Sequence, residues 1–172
     1  MRKFTPEERA SIFPGRVLHD SRHYRVELRA GTQTILLTRS AQPFVSREDV
    51  EAGCSPVQFV LDQLGRSKHN MLLDTREAIA NNDPIFESWF AAHRRRMLVG
   101  FRRTALVTKT AVGGLQNRRL IQTDGTPVVI FASMDDALAY LEGEGSIPPP
   151  RRSSSPPPGS SSPPGSGRGV KE

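Results

Sequence analysis

The chain has one cysteine, one tryptophan and two tyrosines among 172 residues. The lone Cys54 excludes an intrachain disulfide and any multi-cysteine metal site. No apolar run approaches the ~18 residues that a membrane-crossing helix needs, so no membrane span is expected. The opening stretch, Met1-Arg2-Lys3-Phe4-Thr5-Pro6-Glu7-Glu8, lacks the apolar core of a secretory signal. A reducing cytoplasm is the expected compartment. A Gly-x-Ser-x-Gly nucleophile elbow is absent, and so is the Gly–Lys–Ser/Thr spacing of a P-loop. No nucleophile, base and orienting group fall at an interpretable spacing. The sequence therefore reads as a non-enzyme with no cofactor.

Apolar residues make up 36% of the chain, a modest share. Much of the shortfall lies in residues 147–172, which hold 8 Pro, 7 Ser and 4 Gly and no aromatics. Such a composition buries too little apolar surface to offset the entropy of ordering, so a disordered tail is expected. The tail carries Arg151, Arg152, Arg168 and Lys171 against Glu172, or +3 of the formal net charge of +6. A body of only +3 permits nucleic-acid or anionic-membrane binding without demanding it.

Residues 1–14 read as a polar lead-in, and 15–146 as one domain. Tyr24, Val26, Leu28 and Ala30 alternate with Arg25, Glu27 and Arg29, the pattern of a half-buried strand. Gly31-Thr32 turns into a second strand around Ile35-Leu36-Leu37, which makes a hairpin. Ser46 opens a short helical turn at 47–52. Ser55, with Pro56 and Gln58 behind it, signals a separate helix start, and Gly65 signals its stop. Met71-Leu72-Leu73-Asp74 is a short buried strand. Asp83-Pro84 opens a helix whose core face carries Phe86, Trp89, Phe90, His93, Met97 and Phe101. A strand at 104–108, a helix bearing Val112, Leu115 and Leu120, a strand at 128–131 and a helix capped by Ser133 follow. This order implies an α/β fold with a mixed sheet of about five strands. An antiparallel hairpin leads it, and parallel β-α-β units complete it.

The strand Met71–Asp74 leading to a helix at Asp83 resembles the STAS domain of bacterial anti-sigma-factor antagonists. It is most similar to a divergent STAS-like branch. The stretches that carry the likeness are Leu72-Leu73-Asp74-Thr75-Arg76, Asn82-Asp83-Pro84-Ile85-Phe86-Glu87, Gly100-Phe101-Arg102-Arg103 and Ala111-Val112-Gly113-Gly114-Leu115-Gln116. The resemblance implies a cytoplasmic signalling domain that docks on proteins through the surface at this helix start. Family antagonists place a phosphorylatable Ser or Thr there. Here the matching positions are Asn82 and Asp83, so the phosphoswitch is expected to be missing.

Several residue groups carry chemistry, each beside a plainer reading. His19, Asp20 and His23 are possible metal ligands, but a solvated turn explains them and no metal is expected. His93 lies on the apolar stripe as a core-edge histidine with a hydrogen-bond partner. Gly113 and Gly114, helped by Arg118 or Arg119, could hold an anion at a helix start. Close helix–sheet packing is the simpler account. Cys54 precedes a helix start, which can activate a thiol; a structural cysteine is the simpler account. Arg94, Arg95 and Arg96 with Arg102 and Arg103 form a basic cluster without interleaved base-stacking aromatics. In the tail, Ser154, Ser155 and Ser162 are candidate kinase targets.

The expected function is a non-catalytic protein-interaction module. Asn81, Asn82, Asp83 and Glu87 would meet the partner, with Arg94 and Arg95 at the rim. A second reading is a binder of a small apolar or nucleotide-like molecule, through a pocket near Trp89 and Phe90. A third is weak nucleic-acid binding through the arginines and the tail.

Overall fold

A computed structural model of the chain describes residues 15–29, 31–81 and 83–143. The lead-in, Asn82 and the tail with Ser154, Ser155 and Ser162 lie outside the described residues. The elements are strands β1 (Arg16–Asp20), β2 (Tyr24–Arg29) and β3 (Thr34–Arg39), helix α1 (Arg47–Leu64), β4 (Asn70–Asp74), α2 (Pro84–Leu98), β5 (Thr104–Val107), α3 (Ala111–Asp124), β6 (Val129–Phe131) and α4 (Met134–Glu142).

The fold is α/β, as expected, with a mixed sheet of six strands in the order β1-β2-β3-β4-β5-β6. Strands β1 to β3 are antiparallel, and β3 to β6 are parallel. The added strand is β1. A register shift between Val17 and His19 and largely exposed side chains blur its alternation.

Each parallel crossover moves one place in the same direction. Crossovers of one hand that travel one way put their helices on one face. Ile35, Leu37 and Met71 accordingly pack with Val50, Val57, Leu61 and Met97 from α1 and α2. The alternate residues Leu36, Leu72, Ala105, Val107 and Phe131 face the other way, onto Ala137, Leu138 and Leu141 of α4. Asn70 Nδ2 donates to the Leu141 carbonyl at 2.9 Å and fixes α4 against β4.

The two helical pieces expected at 47–64 are one continuous helix. Ser46 caps it by accepting from the Asp49 amide, and Gly65, at φ 74°, ends it. Pro56 lies inside, where it removes a backbone bond at a cost of about 3 kcal/mol. Val50, Cys54, Val57 and Leu61 are buried along the full length. Each such side chain contributes about 1.5–3 kcal/mol, so burial on both sides of Pro56 wins. Ser55 does not cap; its hydroxyl donates to Glu51 Oε1 at 2.9 Å.

Helix α2 begins as the sequence indicates, with Asp83 accepting from the Ile85 amide. One core-face expectation fails, and one helix is less buried than its apolar residues suggest. Trp89 is only half-buried. Val112 and Leu115 of α3 are 73% and 66% exposed. No residue of α3 is fully buried.

Candidate functional site

The parallel strands β3, β4 and β5 all end beneath α2 and α3. In open α/β sheets the space beyond the carboxyl ends of the strands can hold ligands, chiefly where the strand order reverses, which this sheet does not do. Here that space is a cavity of about 250 Å³. Leu37, Leu73 and Leu106 form its sheet-side floor, Phe86, Phe90 and Met97 its α2 wall, and Gln116, Leu120 and Ile121 its α3 wall. The loop after β4 supplies Thr75, Arg76, Ile79 and Asn81, and the end of β5 supplies Thr108 and Lys109. Exposed Ile79, Asn81, Lys109 and Val112 mark where it meets solvent.

One end is built from aromatics and two guanidinium groups. Phe44 lies with its ring centroid 5.9 Å from Phe90, 6.1 Å from Tyr24 and 6.3 Å from Phe86. The Arg39 guanidinium stands 4.4 Å over Phe44 and 5.3 Å over Tyr24. That of Arg94 stands 5.6 Å from Phe90. Burial lowers the pKa of Arg39, and it pushes the buried Tyr24 hydroxyl well above its usual range.

The two arginines are held differently. Arg94 Nε and Nη2 donate to Asp124 at 2.5 and 2.9 Å, so a carboxylate balances its charge. Arg39 donates only to uncharged acceptors: the carbonyls of His23, Ser40 and Gln42 and the Ser40 hydroxyl. Among the described residues it has no salt-bridge partner. Arg76 pairs with Asp74 at 2.8 Å, and Lys109 reaches Glu77 at 4.0 Å.

The residues expected to meet a partner lie beside this cavity. The Asn81 side chain accepts from the Asp83 amide, and its carbonyl accepts from Gln116 Nε2 at 3.2 Å. Glu87 pairs with Arg119. These contacts join the start of α2 to α3, so two groups that were separate in the sequence form one neighbourhood. Arg95 is exposed, as a rim residue would be. Arg94 is not at a rim: its 8% exposure reflects the ion pair under α3. Gly113 and Gly114 do not offer free amides. Gly113 donates to Thr110 Oγ1 and Gly114 to the Thr110 carbonyl. A Cβ on Gly113 would fall 2.8 Å from Thr108 Oγ1, so close approach to β5 explains that glycine. Arg118 is exposed.

His93 stands between helices. Gln58 Nε2 donates to its Nδ1 at 2.9 Å, which leaves Nε2–H to donate to Glu51 at 3.0 Å. His23 is buried against Phe44 and bonded to Asp49 at 3.1 Å, while Asp20 pairs with Arg25. No group of three His, Cys, Asp or Glu side chains among the described residues is placed to hold a metal. Burial pushes the Cys54 thiol up to about 12, against the activation that a helix start would give.

Tyr24, Arg39 and Phe44 carry the inner end of the cavity, and sequence reasoning did not assign them to a site. Phe44 stands alone in a polar connection, and Arg39 ends a strand whose alternation explains it fully. The one available signal was an isolated large aromatic between Pro43 and Val45.

Among the described residues no helix is long and apolar enough to cross a membrane. Comparison of the chain with protein-family models, with curated proteins and with solved structures finds no match.

Proposed function

We propose that this protein is a non-catalytic regulatory module of the cytoplasm that binds a small molecule in the cavity at the ends of β3, β4 and β5. The cavity itself carries this reading. Protein interiors are close-packed, with few voids larger than one water. A solvent-open cleft of about 250 Å³ walled by Leu73, Phe86, Phe90 and Leu106 is apolar space beside the sheet that the core leaves unfilled. Its mix of apolar walls and a few convergent polar groups is what small-molecule sites use. The non-catalytic part rests on chemistry. Both buried-edge histidines are tied to structural partners, and the thiol is held neutral.

The test is to isolate the full chain from cells, release bound small molecules by heat and compare them by mass spectrometry with those from Leu73→Trp, which fills the cavity. A compound enriched with the wild type and lost in the variant supports the reading. No enriched compound, together with cavity-residue NMR signals unmoved by a fragment library, removes it.

A second reading has its own observation. Ile79, Ile85, Val112 and Leu115 are 60–73% exposed and cluster around the Asp83 helix start and α3. Exposed apolar side chains in one neighbourhood mark docking surfaces. This is also the place that a STAS-like domain would present to a protein. Capture of a partner by the wild type but not by Asp83→Arg or Val112→Asp supports it; equal capture by all three rules it out.

A further inference from the structure

We propose that the cavity selects an organic acid: a compact apolar body against the phenylalanines, with its carboxylate drawn to Arg39. This rests on the small-molecule reading above and adds the ligand's charge.

Charge accounting carries the step. The lining holds Arg39, Arg76, Arg94 and Lys109 against one acid, Glu87. Glu87 is taken by Arg119. Arg76, Arg94 and Lys109 each have a carboxylate within 4.0 Å. Arg39 alone among these cations has none. Its four acceptors fix its position without neutralising it. Asp49 acts on this half-buried cation only from beyond ion-pair distance and is itself bound by His23 and the Val45 amide, so an incoming anion would restore solvation that the guanidinium has lost over its two aromatic rings. The neighbouring Arg94, its charge balanced by Asp124, adds a donor rather than net charge. Its Nε and Nη2 are used by Asp124, while its Nη1 has no hydrogen-bond partner among the described residues.

The rest of the site sets the body of the ligand. Phe86 and Phe90 stack with centroids 5.7 Å apart, and Leu73 and Leu106 form the floor. The volume lies below the range of about 300–1,000 Å³ usual for drug-sized ligands and suits a small body within the cleft. Thr108 after β5 adds a hydroxyl for a second polar group, and Thr75, whose hydroxyl donates to the Val107 carbonyl at 2.9 Å, can only accept.

The experiment compares matched acids and alcohols on the full chain: cinnamate with cinnamyl alcohol, and octanoate with octanol. Affinities are read by calorimetry and by shifts of the cavity NMR signals. The expected result is that each acid binds at least tenfold tighter than its alcohol. Arg39→Met should bring the acid down to the alcohol while the alcohol is unchanged. Arg39→Lys should keep most of the preference. Equal binding of acid and alcohol to the wild type overturns the proposal and leaves the small-molecule reading standing. Acid preference that survives intact in a folded Arg39→Met also overturns it. Cavity signals unmoved by all four probes overturn both. If Arg39→Met does not fold, the wild-type comparison decides alone.

Discussion

Arg94 of α2 and Asp124 of α3 form a two-pronged ion pair whose side chains are only 10% and 6% exposed. Asp124 ends a helix, where the carbonyl dipoles disfavour a negative charge. Arg94 supplies the compensation, and the pair ties down a helix with no fully buried residue of its own. Removing one partner strands the other charge in a poorly solvated place. Asp124→Ala should therefore cost about 3–5 kcal/mol. Arg94→Met with Asp124→Leu should recover most of it. Urea unfolding of the two variants beside the wild type checks both expectations.

Two adjacent glycines at the start of α3 should respond in opposite ways. A Cβ on Gly113 would meet Thr108 Oγ1 at 2.8 Å, while one on Gly114 would meet Thr108 Cγ2 at 3.6 Å. Alanine is favoured over glycine in a helix by about 1 kcal/mol. Gly114→Ala should collect that gain and raise the melting temperature. Gly113→Ala should lower it, because β5 or α3 must shift.

The aromatic that matters for stability is Phe44, not Trp89. Phe44 is 7% exposed and touches the rings of His23, Tyr24 and Phe90. Phe44→Ala should cost about 3–5 kcal/mol, and Trp89→Ala less than about 2 kcal/mol. Equal losses in denaturant midpoint would contradict this packing.

Alkaline pH should destabilise the fold through Cys54 and Tyr24. Burial raises both, the thiol to about 12. A group raised in the folded state contributes its full stability below its unfolded value, about 8.5 for a thiol. That contribution drains away as pH climbs from there towards 12. Cys54→Ser should flatten the first part of the decline, as read by melting temperature against pH. Thiol labelling at neutral pH should be slow without denaturant.

Much of this architecture is written in short-range patterns. The caps Asp83 and Ser133, the stop Gly65 and the apolar run 71–73 each act within one or two turns, so they could be read directly. What failed depends on distant residues. Pro56 signals a helix start locally, and only burial on both sides of it keeps α1 whole. Trp89 and Leu115 fit a 3.6-residue stripe, but the fold leaves Trp89 half-buried and Leu115 66% exposed. The cavity is the extreme case. Its inner end joins Tyr24, Arg39, Phe44 and Arg94 from β2, β3, a connection and α2, with no common spacing.

The strands stand in the sheet in the order in which they are made. Every later strand therefore finds its neighbour already waiting at the open edge. Nothing laid down earlier has to be parted to admit it. Assembly can follow the chain out of the ribosome, rung by rung, with the helices folding back over strands already in place.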